Sequence, residues 1–279
     1  MRILHILDHG LPLQSGYTFR TRAILKSQMR HGWHVAAVTG PRNGARDAAA
    51  ETVDGIDFFR TPPVPETISP FGEMREIRAF ARRIDEVVAE FKPDILHAHS
   101  PVLDAVAALR VARTRNLPLV YEIRAFWEDA AVGNGTGREG SLRYRATRAL
   151  ETWAVRRADA VAVICEGLRG DLVARGIDPA KLLVSPNGVD MAVFGDPLAY
   201  DSALAESLGL RDAEVIGFIG SFYDYEGLDD LIAAMPTLVA ARPKAHLVLV
   251  GGGPMEDALR AQAATSPAAA QIHFIGRVP

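Results

Sequence analysis

The stretch His246-Leu247-Val248-Leu249-Val250-Gly251-Gly252-Gly253-Pro254-Met255 decides the fold. An apolar run of strand length breaks at three glycines, and Pro254 stands where a first helical turn tolerates it. Residues 255–264 then read as a helix and residues 271–275 as a further strand. On the other side lie a strand at 215–220 and a helix at 227–241. Short apolar runs alternating with amphipathic segments are the pattern of parallel strands joined by crossover helices.

The same pattern fills the first half of the chain. Strands are expected at 2–8, 33–39, 53–60, 95–98 and 119–123, and helices at 18–31, 74–91 and 102–114. The helix at 74–91 carries its apolar stripe on Ile77, Phe80, Ala81, Ile84, Val87 and Val88. Gly133-Asn134-Gly135-Thr136-Gly137 makes residues 128–140 a loop. A long helix at 141–158, a strand at 160–164, a helix at 167–175 and a closing segment at 181–185 complete a doubly wound α/β sheet. Residues 1–185 form one Rossmann-like domain and residues 186–279 a second. The second is expected to be incomplete, because the chain stops at Gly276-Arg277-Val278-Pro279 directly after its third strand.

The chain has 279 residues, 48% of them hydrophobic, and a net charge of −3, which suits a folded core and gives no reason to expect nucleic acid. Cys165 is the one cysteine. It excludes a disulfide framework, points to the reducing cytoplasm, and sits beside an apolar run that places it in or near the core. No apolar stretch has the length of a membrane span, so any membrane contact is peripheral.

Four segments carry candidate chemistry. Leu13-Gln14-Ser15-Gly16-Tyr17-Thr18 lies between the first strand and its helix, where free backbone N–H groups and the helix dipole favour a phosphate; equally, Gly16 makes a tight turn and Ser15 a cap. His97 and His99 share a face at the carboxyl end of a strand, the edge where open α/β sheets hold ligands. His99 lies nearer the crevice, and no third ligand is spaced for a metal. Arg124 follows the next strand as a fixed cation suited to a diphosphate, and beside it Phe126 and Trp127 either stack on a sugar or close the core. Gly251-Gly252-Gly253 exceeds what turning requires and lets a ligand approach the backbone, although a plain turn is the rival reading. The dinucleotide G-x-G-x-x-G and the Walker lysine pattern are absent.

In order, Ser15-Gly16-Tyr17-Thr18, His97-Ala98-His99-Ser100, Ser185-Pro186-Asn187-Gly188-Val189-Asp190, Gly220-Ser221-Phe222 through Glu226-Gly227, Val250-Gly251-Gly252-Gly253-Pro254 and Phe274-Ile275-Gly276-Arg277-Val278 resemble a family 4 glycosyltransferase of the GT-B fold. The stretches Leu7 to Arg22, Tyr121 to Asp129 and Ile216 to Tyr223 are similar to the bacterial subgroup associated with exosortase and exopolysaccharide loci. The resemblance implies a retaining, metal-free transfer of a sugar from a nucleoside-diphosphate sugar, the co-substrate, to a glycan or lipid-linked acceptor. The first domain would hold the acceptor. Gly16 and Tyr17 would meet the donor diphosphate and His99 the transferred sugar, with Gly252, Gly253, Arg277 and Val278 lining the nucleotide pocket beside Gly220. Ser221 and Glu226 occupy positions where the family carries an arginine and a lysine, so the usual cationic clamp is missing and Arg124 is the candidate replacement. The family's acidic donor motif would lie beyond Pro279.

Arg20, Arg143, Arg145 and Arg148 are candidates for a basic face toward an acceptor or anionic lipid, against plain solvated helix faces. The rival functions are a nucleotide-sugar epimerase of the same fold and an inactive binding module.

Overall fold

The computed structural model describes residues 1–13, 15–43, 48–65, 71–195 and 199–278. The chain divides into two compact units, Met1–Ala130 with Arg138–Gly188, and Ala131–Gly137 with Val189–Pro279. In chain order the first half contains β1 (Arg2–Leu7), α1 (Gly16–Arg30), β2 (His34–Thr39), β3 (Ala50–Val53), β4 (Ile56–Arg60), α2 (Phe71–Phe91), β5 (Ile95–His99), α3 (Val102–Arg115) and β6 (Leu119–Ile123). There follow α4 (Trp127–Gly133), α5 (Leu142–Arg157), β7 (Ala160–Val163), α6 (Glu166–Ala174) and β8 (Leu182–Val184). The remainder holds α7 (Met191–Phe194), α8 (Ser202–Ser207), β9 (Glu214–Ser221), α9 (Leu228–Ala241), β10 (Ala245–Gly252), α10 (Glu256–Thr265) and β11 (Ile272–Gly276).

Among the described residues the first unit has one sheet in the order β3-β4-β2-β1-β5-β6-β7-β8, parallel except for the β3–β4 hairpin at its edge. Strand order reverses between β1 and β5, which opens a crevice at the carboxyl ends of those strands. Alternation along β1 sends Leu4 and Ile6 to the face covered by α2 and α3, where they join a cluster with Phe80, Ile84 and Val106. Leu7 faces the other way and packs with Leu25 of α1, Ala37 and Phe58. The α2 stripe is buried as its spacing predicts, at Ile77, Phe80, Ile84, Val87 and Val88. In the second unit β11, β10 and β9 form a parallel sheet. Leu247, Leu249 and Ile272 pack on Ile232 and Met235 of α9 and Leu259 of α10.

Three local expectations are corrected. Residues 53–60 are not one strand, because Asp54 (φ 54°) and Gly55 (φ 70°) make the left-handed turn that folds β3 back on β4. Part of the expected loop at 128–140 is helical, as α4. Cys165 does not enter the core; it is exposed at the start of α6, one residue past the strand-like run that suggested burial.

Candidate active site

The β1–α1 turn is organised by its own side chains. Ser15 Oγ accepts a hydrogen bond from Thr18 N at 3.1 Å and caps α1. His9 links Asp8 Oδ2 (2.9 Å) to Ser15 Oγ (3.0 Å). Gly16 is exposed, has no positive φ, and a Cβ built on it meets nothing within 4 Å. No protein contact therefore demands a glycine there, and with Thr18 N taken by Ser15 Oγ and Phe19 N by Ser15 O, the N–H groups of Gly16 and Tyr17 are left without an intrahelical partner.

Beneath this turn the fold gathers a buried polar cluster. His5 of β1 and His97 of β5 are register partners, so His5, His97 and His99 share the face under α1. Glu122 of β6, Arg20 of α1 and Arg124 complete it. Arg124 donates from Nε to Glu122 Oε1 (3.0 Å) and from Nη1 to Tyr17 O (2.9 Å). Its Nη2 reaches Thr21 Oγ1 (2.9 Å) and His99 Nδ1 (2.8 Å). The guanidinium also lies 4.2 Å from the centre of the Tyr17 ring. Arg20 donates from Nε to the same Glu122 oxygen at 3.0 Å.

These contacts set the imidazole tautomers. A guanidinium only donates, so His99 Nδ1 accepts, and His99 Nε2–H donates to His5 Nδ1 at 2.9 Å. His5 Nε2–H then donates to Gln28 Oε1 at 2.8 Å. Both rings are neutral in this chain of bonds. Burial, reinforced by the neighbouring His97, lowers His5 to about 3 and His99 well below the ordinary imidazole range. Burial by itself would raise the Glu122 carboxyl, but the Arg124 guanidinium that donates to it holds it well below the usual carboxylate range. With His5 and His99 neutral and Glu122 ionised, the two arginines leave a net positive charge under the N-terminus of α1.

The three histidines place ring nitrogens within 4.8 Å of one another, so the fold supplies through His5 the third imidazole that sequence spacing did not reveal. The donor set as folded does not fit an ion, since His5 and His99 use both ring nitrogens on protein partners. His97 Nε2 makes no hydrogen bond and lies 3.4 Å from Glu122 Oε2, with its ring stacked on His99 at 4.4 Å.

His99 is fully buried with both nitrogens engaged, and Arg124 is committed to Glu122 and α1. Tyr17 is half-buried between Arg124 and His9, and its hydroxyl accepts from Asp8 N at 3.3 Å. Phe126 is buried under Arg175, whereas Trp127 is exposed with Arg42 over its ring at 5.7 Å. Arg20 does not belong to a solvated or lipid-facing surface. Its guanidinium turns inward to Glu122 and donates to Ser185 O (2.8 Å), Pro186 O (3.0 Å) and Asn187 Oδ1 (2.9 Å). Arg143, Arg145 and Arg148 do lie along the outer part of α5, and Arg145 and Arg148 line a shallow groove with Trp153 and Arg156.

In the second unit the glycine run is explained by the protein's own backbone. Gly251 sits at φ +132°, where a Cβ would lie 1.8 Å from Gly220 O, and a Cβ on Gly253 would lie 2.7 Å from Phe222 N and O. The close passage of β9 past β10 thus requires two of the three glycines. Gly252 is buried beside Glu256 and Arg277, Ser221 ends β9 exposed, and Glu226 is exposed in a single turn that closes at Gly227 (φ 68°). Arg277 and Val278 are exposed just after β11.

A glycosyl transferase 4-like domain model matches residues 15–188, and a glycosyl transferases group 1 model matches residues 203–279. The chain is 28% identical over 190 residues to a glycogen synthase of Mycobacterium tuberculosis, covering 67% of this chain and 42% of that protein. It is 29% identical over 234 residues to the D-inositol 3-phosphate glycosyltransferase of Kineococcus radiotolerans, covering 80% of this chain and 53% of the relative. The chain thus spans about half the length of these curated relatives. Among solved structures, Anabaena HepE in complex with UDP superposes with a TM-score of 0.70 at 17% identity, covering 100% of this chain and 70% of HepE.

Proposed function

The chain belongs to the glycosyl transferase 4-like family with the GT-B type of α/β fold, and from that premise we propose that it transfers a sugar, with retention, from a nucleoside-diphosphate sugar to a glycan or lipid-linked acceptor in exopolysaccharide or cell-surface polysaccharide assembly. The observation that carries this reading is the anion-ready turn of the first unit. The N–H groups of Gly16 and Tyr17 without an intrahelical partner, an unobstructed Gly16, and the net positive charge of Arg20 and Arg124 over Glu122 all favour a phosphate at this turn. Charge grows on the departing diphosphate in such a transfer, and preorganised donors stabilise it without reorganising.

In this reading Arg124 acts from below the turn. It supplies a buried positive charge and fixes the carbonyl of Tyr17. His99 presents its ring to a sugar only after giving up its bond to Arg124 or to His5. The donor nucleotide is assigned to the second unit, around Gly252, Gly253, Arg277 and Val278. Arg143, Arg145 and Arg148 of α5 are assigned to anionic lipid at the inner membrane face. Among the described residues no helix is long and apolar enough to cross a membrane.

Calorimetric titration with UDP and GDP tests the reading, UDP being the nucleotide bound by HepE. Saturable heat below about 1 mM is expected. Incubation with the matching labelled nucleotide sugar and a bacterial lipid extract should then move label into the lipid or glycan fraction. No heat with either nucleotide and no transfer would refute the proposal. Sugar isomerised without an acceptor would establish an epimerase instead.

A further inference from the structure

The outer face of α5 gathers positive charge that its own surroundings do not balance. An open groove of about 580 Å³ runs along it, lined by Arg145, Arg148, Trp153, Arg156 and Arg157, with Arg175 at its side just after α6. Among the described residues no acidic side chain lines it. Arg175 is spent, donating from Nη1 to Glu128 Oε1 at 2.8 Å and from Nε to Asp171 Oδ2 at 2.7 Å. The other four arginines are not. Among the described residues the Arg145 side chain has no partner, and Arg148 lies 3.9 Å from Asp171, beyond hydrogen-bond reach. Arg156 donates to the Arg175 carbonyl at 3.3 Å, and Arg157 rests on the Trp153 ring, 4.4 Å from its centre. Elsewhere on the surface Arg22, Arg42, Arg115, Arg242 and Arg260 each hold a carboxylate within 2.9 Å. Arg145 and Arg148 are i,i+3 neighbours, a like-charge pair that opposes the helix. In a chain of net charge −3 this is a local concentration of cations, not part of a generally basic surface.

We propose that the groove binds a small anion carrying two or three phosphate groups, through residues that the α1 turn does not use. A phosphate group packs up to about two charges into one compact set of acceptor oxygens, so a few of them in a row match four unpaired guanidiniums, whose planar forks bind such oxygens in pairs. The volume is that of a small-molecule site. The Trp153 ring holds Arg157 at the groove wall, which lessens the ordering cost when an anion arrives. The proposal goes beyond the assignment of Arg143, Arg145 and Arg148 to anionic lipid. A bilayer offers a plane of charge, whereas these cations line a hollow that continues to Arg156 and Arg157.

The test is calorimetric titration of the whole chain with inorganic tripolyphosphate, free of metal ions, at about 0.15 M salt, where distant surface charges are screened. Saturable binding below about 1 mM is expected, with orthophosphate at least about tenfold weaker. Arg156→Gln and Arg157→Gln should each weaken tripolyphosphate about fivefold, the upper range of one exposed ion pair. Arg78→Gln, which removes the same charge from the exposed side of α2, should leave it unchanged. Excess UDP should not displace it. Equal weakening by Arg78→Gln and Arg156→Gln would mean unspecific charge and overturn the proposal, as would displacement by UDP, which would put the anion on the donor turn, or citrate binding as tightly as tripolyphosphate. Phosphatidylglycerol vesicles bound in place of tripolyphosphate would overturn it in favour of a membrane face. Loss of UDP binding in wild type would strike the transferase reading alone, and thermal melts report whether each variant has folded.

Discussion

Replacing Glu151 by Gln should make the protein more stable in mild alkali and leave it nearly unchanged in mild acid. Glu151 projects from α5 into the interior with no exposed surface, where it accepts a hydrogen bond from Tyr121 Oη at 2.7 Å on Oε1, and its Oε2 has no partner. Burial raises its carboxyl to about 7; Glu128 adds to the rise, and the Tyr121 hydroxyl and Arg175 oppose it. An unfolded glutamate ionises near 4.5. Between these values the folded chain holds a proton that the unfolded chain has lost, so stability falls as pH rises and levels off above about 7. The difference of about 2.5 pH units corresponds to about 3 kcal/mol. Glutamine keeps the Tyr121 bond and cannot ionise. Urea melts of wild type and Glu151→Gln at pH 5 and pH 8.5 read the effect. The wild-type midpoint should drop between the two pH values by about 1 M more than that of the variant, given slopes of about 1–3 kcal/mol per molar urea. Parallel losses in the two proteins would refute the argument and mean that Glu151 is solvated or paired in solution.

Arg20→Ala should cost about 3 kcal/mol, because it strips a charge partner from buried Glu122 and leaves the Ser185 and Pro186 carbonyls without their donor; a thermal melt checks it, and an unchanged midpoint would put the side chain in solvent. Gly16→Ala should leave the melting temperature unchanged, since its Cβ meets open space, while weakening UDP binding measured by calorimetry; unaltered affinity would remove the turn from the donor site. Gly253→Ala should do the reverse, lowering the melting temperature through its 2.7 Å clash with the Phe222 backbone, and a melt equal to wild type would show that β9 yields to it.

Where regular backbone hydrogen bonding is set by local periodicity, the residues could be read directly. The α2 stripe, the strand runs at β1, β5 and β10, and the glycine break after Val250 each carry their own pattern. The β3–β4 hairpin was legible too, through Asp54-Gly55, although a single apolar run hid it. α4 was masked by the glycines near its end, which say turn whatever precedes them.

Chain order by itself indicated two successive α/β units and put Gly16, His99 and Arg124 just beyond or at the carboxyl ends of strands in the first. It did not determine what those groups would touch, because a side chain's charge state and partners depend on segments far away in sequence. His5 meets His99 only through the pairing of β1 with β5, Arg20 reaches Glu122 across 102 positions, and Asp104 loses its water only when α2 and the β2 turn close over it. Glu151 looks like one more polar residue on an arginine-rich helix until the fold turns it inward. Periodicity is a property of neighbours along the chain, whereas desolvation and charge pairing are properties of neighbours in space, and the latter exist only once the sheet has formed.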